Sequence, residues 1–376
     1  MAQLEIKISN QDIESMVTKF KSFYDDIESI TDYYIKKKHE RLQETRFTNV
    51  NHLMFDDFTM SPMDMSFDLV EITGEEFNKL VTPIATFPIE SQIGRRVIMG
   101  IKETNTNKYV GFLRCASPVM SIKPRSDFFG ENIRLEKVNQ FIYNGQTIVP
   151  VQPFGFNYLG GKLMVLACLS NEVRELYNSK YGTNILSFET TSLYGNSKSN
   201  SQYDGLEPYL KYRGLTESKN LLFPTDDVYQ EIRNVCKLHY SKPEWNGGIV
   251  NPTPPSPKMR EFSKVLSIMK SHLKIYNPNE LDILNTYLKN KCESKEQKRF
   301  YQSDFGFKNI REHILNGDKL IEGEREKYDF KNLVSYWTNK STKRYNNIKL
   351  DGRLKTEIET YSIDGINNGI DFKIIR

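Results

Sequence analysis

The stretch from Thr147 to Thr191 constrains the fold of this 376-residue chain more than any other. Thr147-Ile-Val-Pro-Val-Gln152 reads as a strand and runs into Pro153-Phe-Gly-Phe-Asn-Tyr-Leu-Gly-Gly161. Leu163, Leu166, Ala167, Val173, Leu176 and Tyr177 then recur at helical spacing, which predicts a helix over about 160–179 with Gly182 as its stop. Asn184-Ile-Leu-Ser-Phe-Glu-Thr-Thr191 has the apolar, β-branched character of a buried strand. Strand, glycine-rich turn, helix and strand form a βαβ unit, whose crossover makes its two strands parallel.

The flanking sequence predicts more strands before this unit and helices at both ends. Arg96–Lys102 and Tyr109–Ala116 flank the turn-rich Thr104-Asn-Thr-Asn-Lys108, as in an antiparallel hairpin. Gln140–Tyr143 and Gln146–Gln152 around Asn144-Gly145 predict a second, shorter hairpin. Tyr209–Glu217 predicts one more strand. At the N-terminal end Ser9, with Asp12 three residues on, opens a long amphipathic helix running from Ile13 through Phe20 and Ile27 to Tyr34. Residues 47–95 hold an acid cluster and three prolines, and predict loops with a short helix near 74–81. Five prolines between 243 and 257 predict a strap or linker. Beyond it Phe262, Val265, Leu266, Met269 and Leu273, then Leu281, Leu284 and Leu288 after Asn277-Pro278, and then Leu333, Val334 and Trp337 after Asp329 mark three helices. The expected fold class is α+β: a mixed sheet with flanking helices, a long N-terminal helix and a mostly helical C-terminal domain. The expected divisions are 1–95, 96–225, a Pro-rich linker at 226–257, and 258–376.

Composition narrows the function classes. Aromatic residues make up 12% of the chain, enough rings to fill cores and exclude wholesale disorder. No apolar run approaches the roughly 20 residues of a membrane helix, and no secretory signal opens the chain, so a soluble cytoplasmic protein is expected. The four cysteines lie at least 53 residues apart and the five histidines are scattered, so no metal is expected. Charge is divided unevenly: the net is −2 up to residue 225 and +6 from residue 226 onward. An acidic segment and a basic C-terminal segment in one chain suggest separate jobs.

Four groups of residues are candidates for chemistry. The first is the turn carrying Gln152, Gly155, Asn157, Gly160 and Gly161, since backbone amides at a helix start bind a pyrophosphate without side-chain help. The second is Glu189 with Tyr194, Tyr203 and Asp204: a strand-end carboxylate suits a general base toward an amine, and phenols suit a proton donor or an orienting group. The third is Arg114, Lys123 and Arg125, cations suited to a phosphate of a cofactor or of a nucleic acid. The fourth is Lys340, Lys343, Arg344, Lys349 and Arg353, interleaved with Tyr336, Trp337 and Tyr345 near the C-terminus, a pattern suited to phosphates with rings nearby. Each group also has a plain structural reading, as a tight turn, a packed strand end or a solvated charged face. Ser192, Ser197, Ser199 and Ser201 have no histidine beside them in sequence, which argues against a serine hydrolase.

The order of elements resembles the core of GNAT-type acyl-CoA transferases, which carry a Gln/Arg-x-x-Gly-x-Gly/Ala turn where this chain has Gln152-Pro-Phe-Gly155-Phe-Asn157. The chain matches the Gln and the first Gly and departs at Asn157. Pro124-Arg125, Phe128-Phe129-Gly130, Asn144, Pro150, Tyr181-Gly182, Glu189-Thr190 and the later tyrosine–glycine–threonine segment resemble the Druantia anti-phage protein A family. The pattern, over roughly residues 95–218, is also similar to the phage Mom-type DNA-modifying acyltransferases. The resemblance implies a setting of phage and bacterial conflict, DNA as a partner, and an acyl-CoA or other acyl donor at the 152–161 turn. Two readings stand at this point. One is a group transferase acting on DNA bases. The other is a non-catalytic nucleic-acid-binding or defence-associated protein that keeps the fold, and Asn157 in place of a small residue favours it. The oligomeric state is not legible.

Overall fold

The computed structural model describes residues 7–25, 27–28, 30–44, 49–89, 94–130, 133–192, 200–217, 220–252, 257–294, 297–362 and 364–365. The chain divides into two compact units, Met1–Glu40 with Lys219–Lys295, and Arg41–Ser218 with Glu296–Arg376.

The first unit is helical. It holds α1 (Asn10–Tyr24) and most of α2 (Ile30–Glu44). The Ser9 side chain caps α1 by accepting from the Asp12 amide. The single long helix expected here is in fact two. The chain leaves helical pairing after Asp25, and the Glu28 amide donates forward to the Asp32 carboxylate instead of back along the helix.

The larger unit opens with β1 (Phe67–Glu71), α3 (Gly74–Val81), β2 (Arg96–Glu103) and β3 (Lys108–Ala116). Next come α4 (Lys123–Phe129), α5 (Leu135–Phe141) and β4 (Ile142–Pro150). Then follow α6 (Phe154–Tyr158), α7 (Gly160–Cys168), α8 (Asn171–Tyr181), β5 (Ser187–Thr191) and β6 (Lys211–Leu215). The chain returns to the helical unit for β7 (Asn220–Leu221), α9 (Asp226–Tyr240), α10 (Pro257–Tyr276), α11 (Pro278–Tyr287) and β8 (Glu293–Ser294). It ends in the larger unit with β9 (Arg299–Ser303), α12 (Ile310–Asn316) and α13 (Phe330–Leu350).

Seven strands form one mixed sheet in the order β1-β2-β3-β4-β5-β9-β6. Only β4 and β5 run parallel, and they pair over just three positions, from Ile142 with Ser187 to Asn144 with Glu189. The β2–β3 hairpin forms as its turn chemistry predicts. Side-chain alternation along β3 sends Leu113 and Cys115 into a core with Leu163, Met164 and Trp337 on one face. Phe112 goes to the other face, into a core with Phe77, Leu80 and Val149. Each such side chain contributes about 1.5–3 kcal/mol through burial.

Several expectations need correction. Asn144-Gly145 is not a hairpin turn: β4 passes straight through it as one strand, with a bulge opposite Arg114 and Cys115. A Cβ on Gly145 would stand 2.7 Å from the Phe188 ring, so the glycine serves close packing rather than a turn. The expected 160–179 helix is two helices, α7 and α8, divided where the Ser170 hydroxyl caps α8 by accepting from the Val173 amide. Gly182 does end α8, in the left-handed conformation at φ 62°.

Residues 226–257 are not simply a linker. α9 occupies the first half of them, and its Tyr229, Ile232 and Cys236 share a core with Phe20 of α1 and Phe262 of α10. Nor do residues 258–376 form a separate domain. β9 enters the sheet between β5 and β6, and α13 packs on α6 and α7. Leu333 and Trp337 are fully buried on α13, whereas Val334 is only half-buried. Asp329 does not cap α13 with its side chain. The Glu172 carboxylate takes the first amide, at Phe330, and Asp329 accepts from Asn171.

Candidate functional site

Past Asn144 and Glu189 the two parallel strands part. β4 continues beside β3, while β5 stays paired with β9 along its other edge, from Phe188 to Thr191. A cleft of about 480 Å³ opens where they separate. Its walls come from six distant segments, among them Phe87, Met120, Gln146, Thr190, Tyr203 and Lys298. Asn144, Gln152, Thr191 and Gln202 also reach it, so carboxamides and hydroxyls dominate its polar surface. The Gln146 Oε1 atom is buried and has no hydrogen-bond partner among the described residues. Such an acceptor costs about 1–3 kcal/mol unless something donates to it.

Glu189 is buried and does not line this cleft. Its strand neighbours Thr190 and Thr191 and its cross-strand partner Asn144 form the wall. Glu189 and Arg125 are 2% and 3% exposed. Arg125 Nε stands 3.6 Å from Glu189 Oε2, too far for a hydrogen bond. Neither Glu189 Oε2 nor Arg125 Nη1 has a hydrogen-bond partner among the described residues. Arg125 is anchored by a hydrogen bond to the Val119 carbonyl, on the cleft rim. Burial pushes the Glu189 carboxyl up to about 7, against the opposing pull of Arg125. A carboxyl with that value exchanges its proton near neutrality, as a general base or acid must.

The loop that carries Tyr203 is locked from both sides. Asp204 accepts from the Arg299 guanidinium at 3.0 Å, the Tyr301 hydroxyl at 2.7 Å and the Ser201 amide at 2.9 Å. Burial alone would raise the Asp204 carboxyl, but the Ser201 amide, Tyr301, Arg299 and Lys162 outweigh it and hold the group below the usual range. Lys162 on α7 donates to the Gln202 carbonyl at 3.0 Å and also to the Asp204 carbonyl. Burial, with Lys340 nearby, lowers the Lys162 amine to about 8. The loop thus sets the Tyr203 ring edge-on to Tyr301, 5.5 Å between centroids, in the cleft wall. Burial raises the Tyr203 phenol, which keeps it protonated and a hydrogen-bond donor. Tyr194 lies outside the described residues.

The 152–161 turn is not an open cradle. The Gly155 and Asn157 amides donate to the Val151 and Pro153 carbonyls, and the Phe156 amide donates to Gln152 Oε1. Helix α13 covers the turn from outside. Trp337 Nε1 donates to the Leu159 carbonyl, the Ser341 hydroxyl to that of Tyr158, and Arg344 Nε to that of Phe156. Gly160 backs onto the Phe154 ring and Gly161 onto Gln202. Asn157 is buried, donating to the Lys355 carbonyl at 2.8 Å and accepting from the Lys355 amide at 3.2 Å. The Gly155, Phe156 and Asn157 amides are therefore engaged within the turn rather than open to a pyrophosphate. Of the turn residues only Gln152 reaches the cleft. Replacing Asn157 with Ala, nearer the GNAT pattern, removes two bonds to Lys355 and should cost about 2 kcal/mol. Hydrogen exchange at residues 354–359 should accelerate in that variant while the sheet stays protected.

The remaining candidates separate. Arg114 is buried and stacks over the Phe77 ring at 5.3 Å. With Arg125 also buried, these two do not present a surface to phosphate. Lys123 is exposed but pairs with Asp127 at 2.9 Å and Glu217 at 3.5 Å. On α13, Lys343 and Lys349 are exposed; Lys340 lies over Tyr336, Arg344 over Phe156 and Lys349 over Tyr345. Arg353 pairs with Asp351. Cys115, Cys168 and Cys236 are free and buried. No metal-ligating cluster occurs among the described residues, and no described helix is long and apolar enough to cross a membrane.

Residues 21–198 match the family model described as Druantia protein DruA. Comparison with curated proteins and with solved structures yields no significant match in either. The matched stretch contains Arg125, Asn144, Gln146, Gln152, Glu189 and Thr190, and ends before Tyr203, Lys298 and α13.

Proposed function

We propose, from the match of residues 21–198 to the Druantia protein DruA family, that this chain acts in anti-phage defence by binding an amino-bearing base of DNA in the cleft between β4 and β5. Glu189 takes the proton released as the amine nitrogen bonds to the acyl carbon of an acyl donor, whose leaving group departs with the pair of the bond that breaks. The observation that carries this reading is the end of the β4–β5 pairing at Asn144 and Glu189, beside the cleft, with the buried Glu189 carboxyl pushed up to about 7. Two features support it. The unsatisfied Gln146 Oε1 calls for an N–H donor, which an exocyclic amine supplies. Phe87 and Tyr203 offer rings against a planar ligand.

Titration calorimetry with nucleosides tests the binding. Adenosine or cytidine should bind, uridine should bind at least about tenfold more weakly, and Gln146→Leu should remove the difference. Equal binding of all three nucleosides, or none of any, would end this reading. Mass spectrometry of nucleosides from cells expressing the chain then tests transfer: a modified base should appear and vanish with Glu189→Gln.

A second reading, a non-catalytic nucleic-acid-binding protein, is favoured by the filled 152–161 turn. On that reading Glu189→Gln leaves function intact, while Lys343→Ala with Lys349→Ala weakens DNA binding about equally for unrelated sequences.

A further inference from the structure

The helical unit carries a polar groove that neither reading uses. Between α10 and α11 it is lined by Ser263, Ser267, Lys270, Ser271, Lys274 and Asn285, with Leu266 and Leu281 at its base. Its volume is about 480 Å³ and it is open along one side. On α10 the apolar face between Phe262 and Leu273 is committed to the core: Phe262, Val265, Ile268, Met269 and Leu273 are all buried. That fixes the rotation of the helix and aims Ser263, Lys264, Ser267, Lys270, Ser271 and Lys274 outward at three- and four-residue spacing.

The outward face of α10 has no acid to neutralise it. The helix has one acidic residue, Glu261, which turns inward and accepts from Tyr229, Arg233 and the Ile249 amide. Lys264, Lys270 and Lys274 form no ion pair among the described residues. Lys258, at the start of the helix, is by contrast taken by Asp226 at 2.5 Å. From α11 the groove receives Leu281 and Asn285; Glu280 is engaged by Lys21 at 2.5 Å, and Asp282 is exposed beside the groove. Ser263 donates to its own helix, at Met259, which leaves its oxygen to accept. Ser267 and Ser271 form no side-chain hydrogen bond among the described residues, so their hydroxyls can donate into the groove.

We infer that the α10–α11 groove is a contact surface for the phosphate backbone of duplex DNA, separate from the cleft and from the basic face of α13. Three unpaired lysines alternating with hydroxyl donors along one helix face match a row of phosphate oxygens. Ser263 to Lys274 spans about 16 Å along the helix axis, or roughly five steps of one DNA strand. Single strands are gripped chiefly by stacking on rings, and the outward residues from Ser263 to Lys274 carry none, the ring of His272 being buried. A membrane surface would need a broad apolar face, and between Phe262 and Leu273 that face is spent on the core.

Fluorescence anisotropy of the full chain with a labelled 20-base-pair duplex of arbitrary sequence tests the assignment. The triple variant Lys264→Ala, Lys270→Ala, Lys274→Ala should bind at least about tenfold more weakly and lower the log–log salt slope by about 3. Ser267→Asp, an exposed change in the middle of the groove, should weaken binding in the same direction. The triple variant should keep the nucleoside binding of the cleft, whose lining includes none of these lysines, so the two readings fail separately. An unaltered slope in a triple variant whose helical circular dichroism is intact overturns the inference. So does tighter binding to a single strand than to a duplex, or a triple variant whose only loss is adhesion to anionic phosphatidylserine vesicles.

Discussion

Glu189→Gln should flatten the pH dependence of stability between pH 5 and 8.5. The folded-state carboxyl is raised from 4.5 to about 7 by burial, with Arg125 opposing, so the folded chain retains a proton that the unfolded chain releases. Folding is then penalised progressively as pH rises from the unfolded value through the folded one, and the penalty is constant above it. At about 1.36 kcal/mol per pKa unit, the loss across that window is on the order of 3 kcal/mol. The Gln variant carries no such proton. It should match the parent within about 1 kcal/mol near pH 5 and exceed it by up to about 3 kcal/mol at pH 8.5. Urea unfolding at both pH values gives the difference directly. Equal stability increments at the two pH values would show that Glu189 is ionised throughout, and would remove the basis for its proton-transfer role. A gain in stability on loss of the carboxyl is what a strained functional group produces, and a structural ion pair would give the opposite.

Trp337→Ala should be the most damaging single change on α13. The indole is fully buried, packs edge-on to Phe67 at 5.3 Å and nearly parallel to Phe154 at 6.1 Å, and its Nε1 donates to the Leu159 carbonyl. Truncation leaves a large cavity and an unpaired carbonyl, and should cost about 3–5 kcal/mol. Because Trp337 fastens α13 over the 152–161 turn, exchange should rise in the turn as well as in the helix. Unchanged exchange at Gly160 and Gly161 would mean that α13 does not stabilise the turn.

The elements legible in the sequence are those whose cause is local. The β2–β3 hairpin, α3, β6 and the end of α8 at Gly182 follow from turn chemistry and periodicity carried by their own residues. Ser9 and Asn277 accept from amides three residues on, as their positions predict. Asn144-Gly145 misleads because the same dipeptide suits a hairpin turn and a crowded strand, and Phe188, over forty residues away, decides between them. β9 is missed for a related reason: five residues alternating in a helical region say nothing about a vacancy between β5 and β6. The cleft is assembled from six segments spread over Ile84 to Lys298, so no spacing motif marks it. Glu189 could be singled out as a strand-end acid, but its burial beside Arg125 of α4 could not, since the sequence offers Arg125 only as a cation suited to phosphate.

The placement of β9 has a consequence for synthesis. The outer edge of β5 is paired by a strand that begins at residue 299, with the whole of the 219–295 segment made in between. At about 5–20 residues per second, the ribosome leaves that edge open for on the order of 10 seconds. During this interval the nascent chain presents the unpaired backbone of Phe188 to Thr191, a template for any other strand nearby. Yield in a heterologous host should therefore depend on translation speed between these two strands and on the chaperones that reach the emerging chain.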